Sequence, residues 1–234
     1  MAFPRMFARS AALLSLALLA LAPAAQAAPA RHAPAAPAVL VVATPQGSHV
    51  LGKPGAPLKL VEYVSYTCPH CAAFEKEGAP AMIQSVVRSG KGTVEYRPFL
   101  RNIVDVAATL MVGCGTPSRF PGNHAAVLGS QQTWFVPPDQ AKQDAWRTAD
   151  FATRMRLVAQ DMNLYPVFTA RGYTRAQLDQ CLANEKLATA IAAENRKAMD
   201  ELKIEGTPSF LIAGALQPAH DWASLRPALD AVLK

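Results

Sequence analysis

Leu58-Lys59-Leu60-Val61-Glu62-Tyr63-Val64-Ser65-Tyr66-Thr67-Cys68-Pro69-His70-Cys71 is the stretch whose reading decides the fold of this 234-residue chain. Its first eight residues form an apolar run with two largely apolar faces, the pattern of a strand covered on both sides. Pro69 suits the first position of a helix, where a missing N–H costs nothing, and the residues after it predict a helix to about Ser89, interrupted at Pro80. Cys68 therefore stands at a helix entry, facing unsatisfied N–H groups and the positive end of the dipole. A thiolate is favoured there. Cys71, one turn deeper, is expected to be buried. The spacing lets the two sulfurs close into a disulfide, with Cys68 as the exposed attacking sulfur and Cys71 as the resolving one.

The neighbours refine this chemistry. The ring or positive charge of His70 would stabilise a Cys68 thiolate. A thiolate pKa about 3 units below ambient pH favours the reduced pair by about 4 kcal/mol. That raises the reduction potential by on the order of 90 mV, which makes the disulfide an oxidant. Glu62, in a doubly covered strand, is expected to have a raised pKa and to relay a proton to or from Cys71. The plainer alternative pairs it with Lys59 or Arg97. Gly206-Thr207-Pro208-Ser209-Phe210 opens a later strand; a cis bond before Pro208 would present the Thr207 backbone to an extended peptide beside the cysteines. Two other readings of Cys68–Cys71 are half of a zinc site, which lacks further ligands at suitable spacing, and a plain structural disulfide.

Working outward, Arg5 and Arg9 precede the apolar run Ala11–Ala22, and Ala25-Gln26-Ala27 offers small residues for cleavage. This predicts a signal peptide over 1–27 rather than a membrane anchor. Its removal takes two arginines and no acid, so the formal charge of +6 falls to +4. The residual bias forms no basic run and gives no reason to expect nucleic acid as a partner. Residues 28–45, rich in Ala and Pro, predict a flexible lead-in, with a short strand expected at Val39–Ala43. Further strands are expected at His49–Leu51, Thr93–Phe99 and Ser209–Ala213. Between them, Val104–Val112, Asn123–Gln132, Ala141–Leu164, Thr174–Ala183 and Glu185–Lys203 look helical, and Trp222–Leu233 forms a closing helix. Of four cysteines, Cys114 and Cys181 remain. In an exported chain they are expected to form a second, structural disulfide, with a second redox-active pair as the alternative.

Strand, Cys-Pro-His-Cys, helix, helical insertion, then Gly-Thr-Pro and strand resembles the thioredoxin-like family, and more narrowly the DsbA-type periplasmic thiol–disulfide oxidoreductases. The likeness covers roughly residues 46–234. It implies an α/β thioredoxin-like fold: a five-stranded mixed sheet flanked by helices, formed by 46–101 and 204–234, with a helical domain of 102–203 inserted. It further implies Cys68 as nucleophile, Cys71 as resolving thiol, Glu62 as buried acid and Pro208 as cis-proline. It implies periplasmic oxidation of reduced exported proteins, no cofactor, and re-oxidation by a quinone-linked membrane partner resembling DsbB. Thr207 before Pro208 is also seen in isomerases resembling DsbC and DsbG. Those carry an N-terminal dimerisation domain, whereas a short lead-in here fits a monomeric oxidase. Isomerase or reductase activity and a non-catalytic peptide-binding module are the competing readings.

Overall fold

A computed structural model describes residues 39–234. The expected leader at 1–27 and the lead-in up to residue 38 lie outside the described residues. Six strands form one mixed sheet in the order β1-β2-β4-β3-β5-β6. They are β1 (Val41–Ala43), β2 (His49–Leu51), β3 (Leu58–Val64), β4 (Gly92–Pro98), β5 (Ser209–Ile212) and β6 (Ala215–Leu216). The sheet is therefore one strand wider than the five expected. Strand β1 lies within the short strand expected at Val39–Ala43, at the end of the lead-in, and pairs antiparallel with β2. The sixth strand, β6, is a two-residue hairpin partner of β5 around Ala213 and Gly214, both at positive φ.

Strand β3 pairs parallel with β4 and antiparallel with β5. The parallel pair needs a crossover, made by α1 (Pro69–Glu77), α2 (Ala79–Met82) and a π-helical turn over Ile83–Arg88. The helix expected to run from Pro69 to Ser89 thus breaks at Gly78, and Pro80 sits in the first turn of α2. Gly78 is needed at the break, because a Cβ there would lie 2.8 Å from the Phe74 ring and 2.8 Å from Trp222 Cβ.

In the described chain, everything regular between β4 and β5 is helical: α3 (Ile103–Val112), α4 (Phe120–Gly129), α5 (Gln131–Trp134), α6 (Gln140–Thr148), α7 (Phe151–Asp161), α8 (Leu164–Thr169), α9 (Arg175–Leu182) and α10 (Glu185–Asp200), plus a 3-10 turn at Pro117–Arg119. The single helix expected over Ala141–Leu164 falls into two, α6 and α7, because Asp150 caps α7, its carboxylate accepting from Thr153 N at 3.0 Å; Asn163, in a left-handed conformation, separates α7 from α8, which starts at Leu164. The closing helix is α11 (Trp222–Val232). No helix among the described residues is long and apolar enough to cross a membrane.

Side chains alternate across a strand, so Leu60, Glu62 and Val64 share one face of β3 while Val61 and Tyr63 share the other. The first face looks into the larger core with Cys71, Phe74 and Phe210. The second meets Ala198 of α10, Ile204 and Leu211. Glu62 is thereby committed to the core by the same alternation that buries its neighbours. Register completes the placement: Tyr63 lies opposite Ser209 in an antiparallel pair, so the residues just before β5 must meet those just after β3.

Candidate active site

Cys68 is the N-cap of α1, in extended conformation, with Pro69 as the first helical residue. Pro69 and His70 are exposed. Cys68 itself is only 4% exposed and Cys71 is fully buried, which corrects the expectation of an openly exposed attacking sulfur. The cover comes from the segment before β5. The Thr207–Pro208 bond is cis, and the Thr207 carbonyl accepts from Cys68 Sγ at 3.1 Å. Cys68 and Cys71 are both free in this structure.

The two thiols are driven apart. Cys68 is lowered to about 4, chiefly by the hydrogen bond from Cys71, against the opposing effect of burial. The Thr207 side chain and the backbone N–H groups of Cys71 and His70 add to the lowering. The Thr207 carbonyl can only accept, so its contact belongs to the neutral thiol. The Thr207 hydroxyl is buried with no hydrogen-bond partner in this structure and is the Thr207 group able to donate to a thiolate. The backbone N–H of His70 contributes from its place at the helix N-terminus. Cys71 is pushed up by burial, by its hydrogen bond to Cys68, and by the charges of Cys68 and Glu62.

Glu62 is 1% exposed, and its Oε2 has no hydrogen-bond partner. Burial first, then the charge of Glu75, holds its carboxyl well above the usual range. The pairing with Lys59 or Arg97 does not form: Arg97 Nε lies 2.9 Å from Glu95, its Nη1 donates to Tyr63 OH at 3.1 Å, and Lys59 is exposed. An unpaired, buried acid held neutral can give a proton and, once ionised, take it back, which suits a partner to the Cys71 thiol.

Three supports escaped the sequence reading. Asp105, fully buried, accepts from Ser65 Oγ at 2.9 Å, Thr67 N at 3.0 Å, Thr67 Oγ1 at 3.1 Å and Arg101 N at 2.9 Å. Burial still leaves its pKa raised. Asn102 caps α3 through Oδ1, 2.9 Å from Val104 N, and donates Nδ2 to Thr67 Oγ1 at 3.0 Å. Gln131, at the start of α5, donates Nε2 to the carbonyls of Tyr66 at 2.8 Å and Cys68 at 3.0 Å. The active-site loop is therefore fastened to the helical insertion on one side and to the Thr207 segment on the other. Deeper in, His124 Nδ1 meets Tyr66 OH at 3.0 Å and its Nε2 lies 3.3 Å from Glu75. A readable signal existed only for the Asn102 cap, an Asn three residues before Asp105 at a helix start. The others are contacts across tens of residues.

Cys114 and Cys181 are bonded to each other, with Cα atoms 5.7 Å apart, and join the end of α3 to α9. Among the described residues no group of three or more His, Cys, Asp or Glu side chains could hold a metal ion.

A family model described as thioredoxin matches residues 44–231. The crystal structure of a protein-disulfide isomerase from Novosphingobium aromaticivorans is 44% identical, with a TM-score of 0.76, over 80% of this chain and 98% of that one. Wolbachia pipientis alpha-DsbA1 shares the fold at 19% identity, with a TM-score of 0.63 over 79% of this chain and 89% of its own. A Rickettsia bellii protein, provisionally named a protein-disulfide oxidoreductase, is 25% identical over 186 residues, 79% of this chain and 64% of that relative. The match thus spans less than two thirds of that curated relative's length. With the sheet, the Cys68-Pro69-His70-Cys71 helix entry and the cis Thr207–Pro208 bond in place, and with a family model matching most of its length, the chain belongs to the thioredoxin family.

Proposed function

We propose that this protein is a thiol–disulfide oxidoreductase that passes a Cys68–Cys71 disulfide to reduced, exported proteins. One observation carries the reading: two thiols of one helical turn, one lowered to about 4 and the other raised well above the ordinary thiol range. A client thiolate attacks Cys68 Sγ of the oxidised pair, and the electron pair of the broken S–S bond leaves with Cys71 Sγ. Cys71 is a poor thiolate, so it takes up a proton, for which neutral Glu62 is the adjacent source. A second client thiol, losing its proton, then attacks the client sulfur of the mixed disulfide. Cys68 departs as an easily formed thiolate, and the client keeps the disulfide. The Thr207 backbone and Pro208 flank this exchange and are positioned to line the client chain.

The reading includes export by the 1–27 segment to the periplasm and re-oxidation by a quinone-linked membrane partner resembling DsbB; the basic-then-apolar order of the N-terminus supports the first. Mixing oxidised protein with a reduced, unfolded test protein tests the main claim. Client disulfides should appear in stoichiometric amount and vanish with Cys68→Ala; equal transfer by that variant would sink the proposal.

A second reading, isomerase action, is favoured by the 44% identical relative, which is described as a protein-disulfide isomerase. It predicts strong rescue of a scrambled multi-disulfide protein with weak net oxidation.

A further inference from the structure

A cavity of about 510 Å³ opens between the start of α3 and helices α6 and α7. Ile103, Val104, Phe135 and Trp146 give it apolar walls, and Arg147 and Arg154 add two guanidinium groups. The Trp146 indole is fixed in place by its Nε1 donating to Asp161 at 2.7 Å. The two arginines differ. Arg147 is exposed and already bonded to Asp144. Arg154 has no carboxylate within 4.0 Å among the described residues: its Nη2 donates to the Ala149 carbonyl at 2.9 Å, and its Nε is buried with no acceptor. A buried charged donor without a partner is unfavourable. The planar guanidinium fork matches a carboxylate better than any neutral acceptor.

The position of the cavity ties it to the cysteines. Asn102, which also lines it, donates to Thr67, and Thr67 is the residue before Cys68, about 3.8 Å away along the chain. A polypeptide bonded through its own sulfur to Cys68 needs only a few residues to reach this mouth. We propose that the cavity receives an apolar side chain of the client polypeptide, and that Arg154 pairs there with a client Asp or Glu lying within a few residues of the reacting cysteine. The client class is thus an unfolded segment in which an acid adjoins a large apolar residue near a cysteine. This rests on the exchange reading above. The step itself is unchanged: the client thiolate displaces Cys71 from Cys68, and the pocket adds only non-covalent contacts.

The test uses the oxidised full-length protein and single-cysteine peptides carrying Phe-Glu at successive positions from two to five residues from the cysteine, each with a Phe-Gln twin. The rate of mixed-disulfide formation is measured by stopped-flow fluorescence. At one spacing the Glu peptide should react about tenfold faster than its twin, the equivalent of about 1.4 kcal/mol, and the ratio should shrink as salt is raised. Arg154→Gln, checked for folding by circular dichroism, should erase the ratio. Equal rates for every pair mean that solvent satisfies Arg154 and overturn the proposal, as does a ratio unmoved by salt or by the variant. The salt series in the native protein decides the matter even if Arg154→Gln does not fold. No reaction with any peptide would sink the exchange reading itself.

Discussion

Cys68 and Cys71 are the same chemical group three residues apart, and their surroundings push them in opposite directions. The difference is made by what donates to each sulfur. Cys68 sits where the helix backbone, Cys71 and the Thr207 hydroxyl all favour the anion. Cys71 sits in the core, next to a developing negative charge and an acid. Glu62 belongs to this pair, and it was legible for a simple reason: a glutamate in the middle of an apolar strand has nowhere else to point. The identity of its neighbours was not legible, because Glu75 and Tyr96 reach it only through folding. Replacing Glu62 with Gln removes a titrating proton and keeps the shape. Departure of Cys71 should slow by about a hundredfold in single-turnover exchange, within the usual range for a positioned acid or base. The stability profile should change too. A carboxyl raised in the folded state favours folding at pH below about 4.3 and opposes it progressively above, as the unfolded chain ionises. Urea unfolding should therefore show wild type losing stability relative to Glu62→Gln as pH rises from 4 toward 7; parallel profiles would remove Glu62 from the account.

At the scale of elements, the helical insertion has two jobs. It supplies Gln131 and Asp105 to hold the active-site loop, and it must itself stay in register. The second job falls to the Cys114–Cys181 bond, which closes a separation of 67 residues between α3 and α9. Beside it, Tyr173 OH donates to the Cys114 carbonyl at 2.7 Å and Asn123 Nδ2 donates to Tyr173 OH at 2.7 Å. A loop of this length should contribute about 2–4 kcal/mol by restricting the unfolded chain. The Cys114→Ala/Cys181→Ala variant should lose about that much in urea unfolding while its exchange rate with a small thiol stays within twofold of wild type. A large drop in exchange would mean that this pair takes part in the redox chemistry. Helix positions were readable from apolar spacing, but the breaks inside them were less so. Asp150, three residues before Thr153, was a visible capping signal within the run expected to be continuous. The left-handed turn at Asn163 had no comparable mark.

The whole molecule reads as a sheet that delivers two loops to one point. Apolar runs announced β2, β3, β4 and β5 within a residue or so, and the order of motifs announced the architecture. Strand β1 falls inside the short strand expected at Val39–Ala43, although it emerges from an Ala- and Pro-rich segment and gains its place in the sheet by pairing with β2. What the sequence concealed was mostly long-range. The fastening of Cys68 by Gln131 spans 63 residues, and no local pattern encodes it. Thiolate formation at Cys68 couples the global stability to redox state. A pKa lowered in the folded, reduced protein adds stability that is full above the ordinary thiol range, near 9, and is lost as pH falls through about 4. The oxidised protein has no such group at this site. At pH 7 the reduced form should therefore unfold at higher urea than the oxidised form, and the gap should narrow steadily as the pH is lowered toward 4. A gap independent of pH would disconnect stability from the Cys68 charge.

The most direct measurement is a titration of the Cys68 thiolate by its ultraviolet absorbance in the reduced protein, with Cys68→Ala as the blank. The account predicts a single inflection near pH 4 that disappears in the blank. An inflection near 9, where an ordinary thiol ionises, would contradict it.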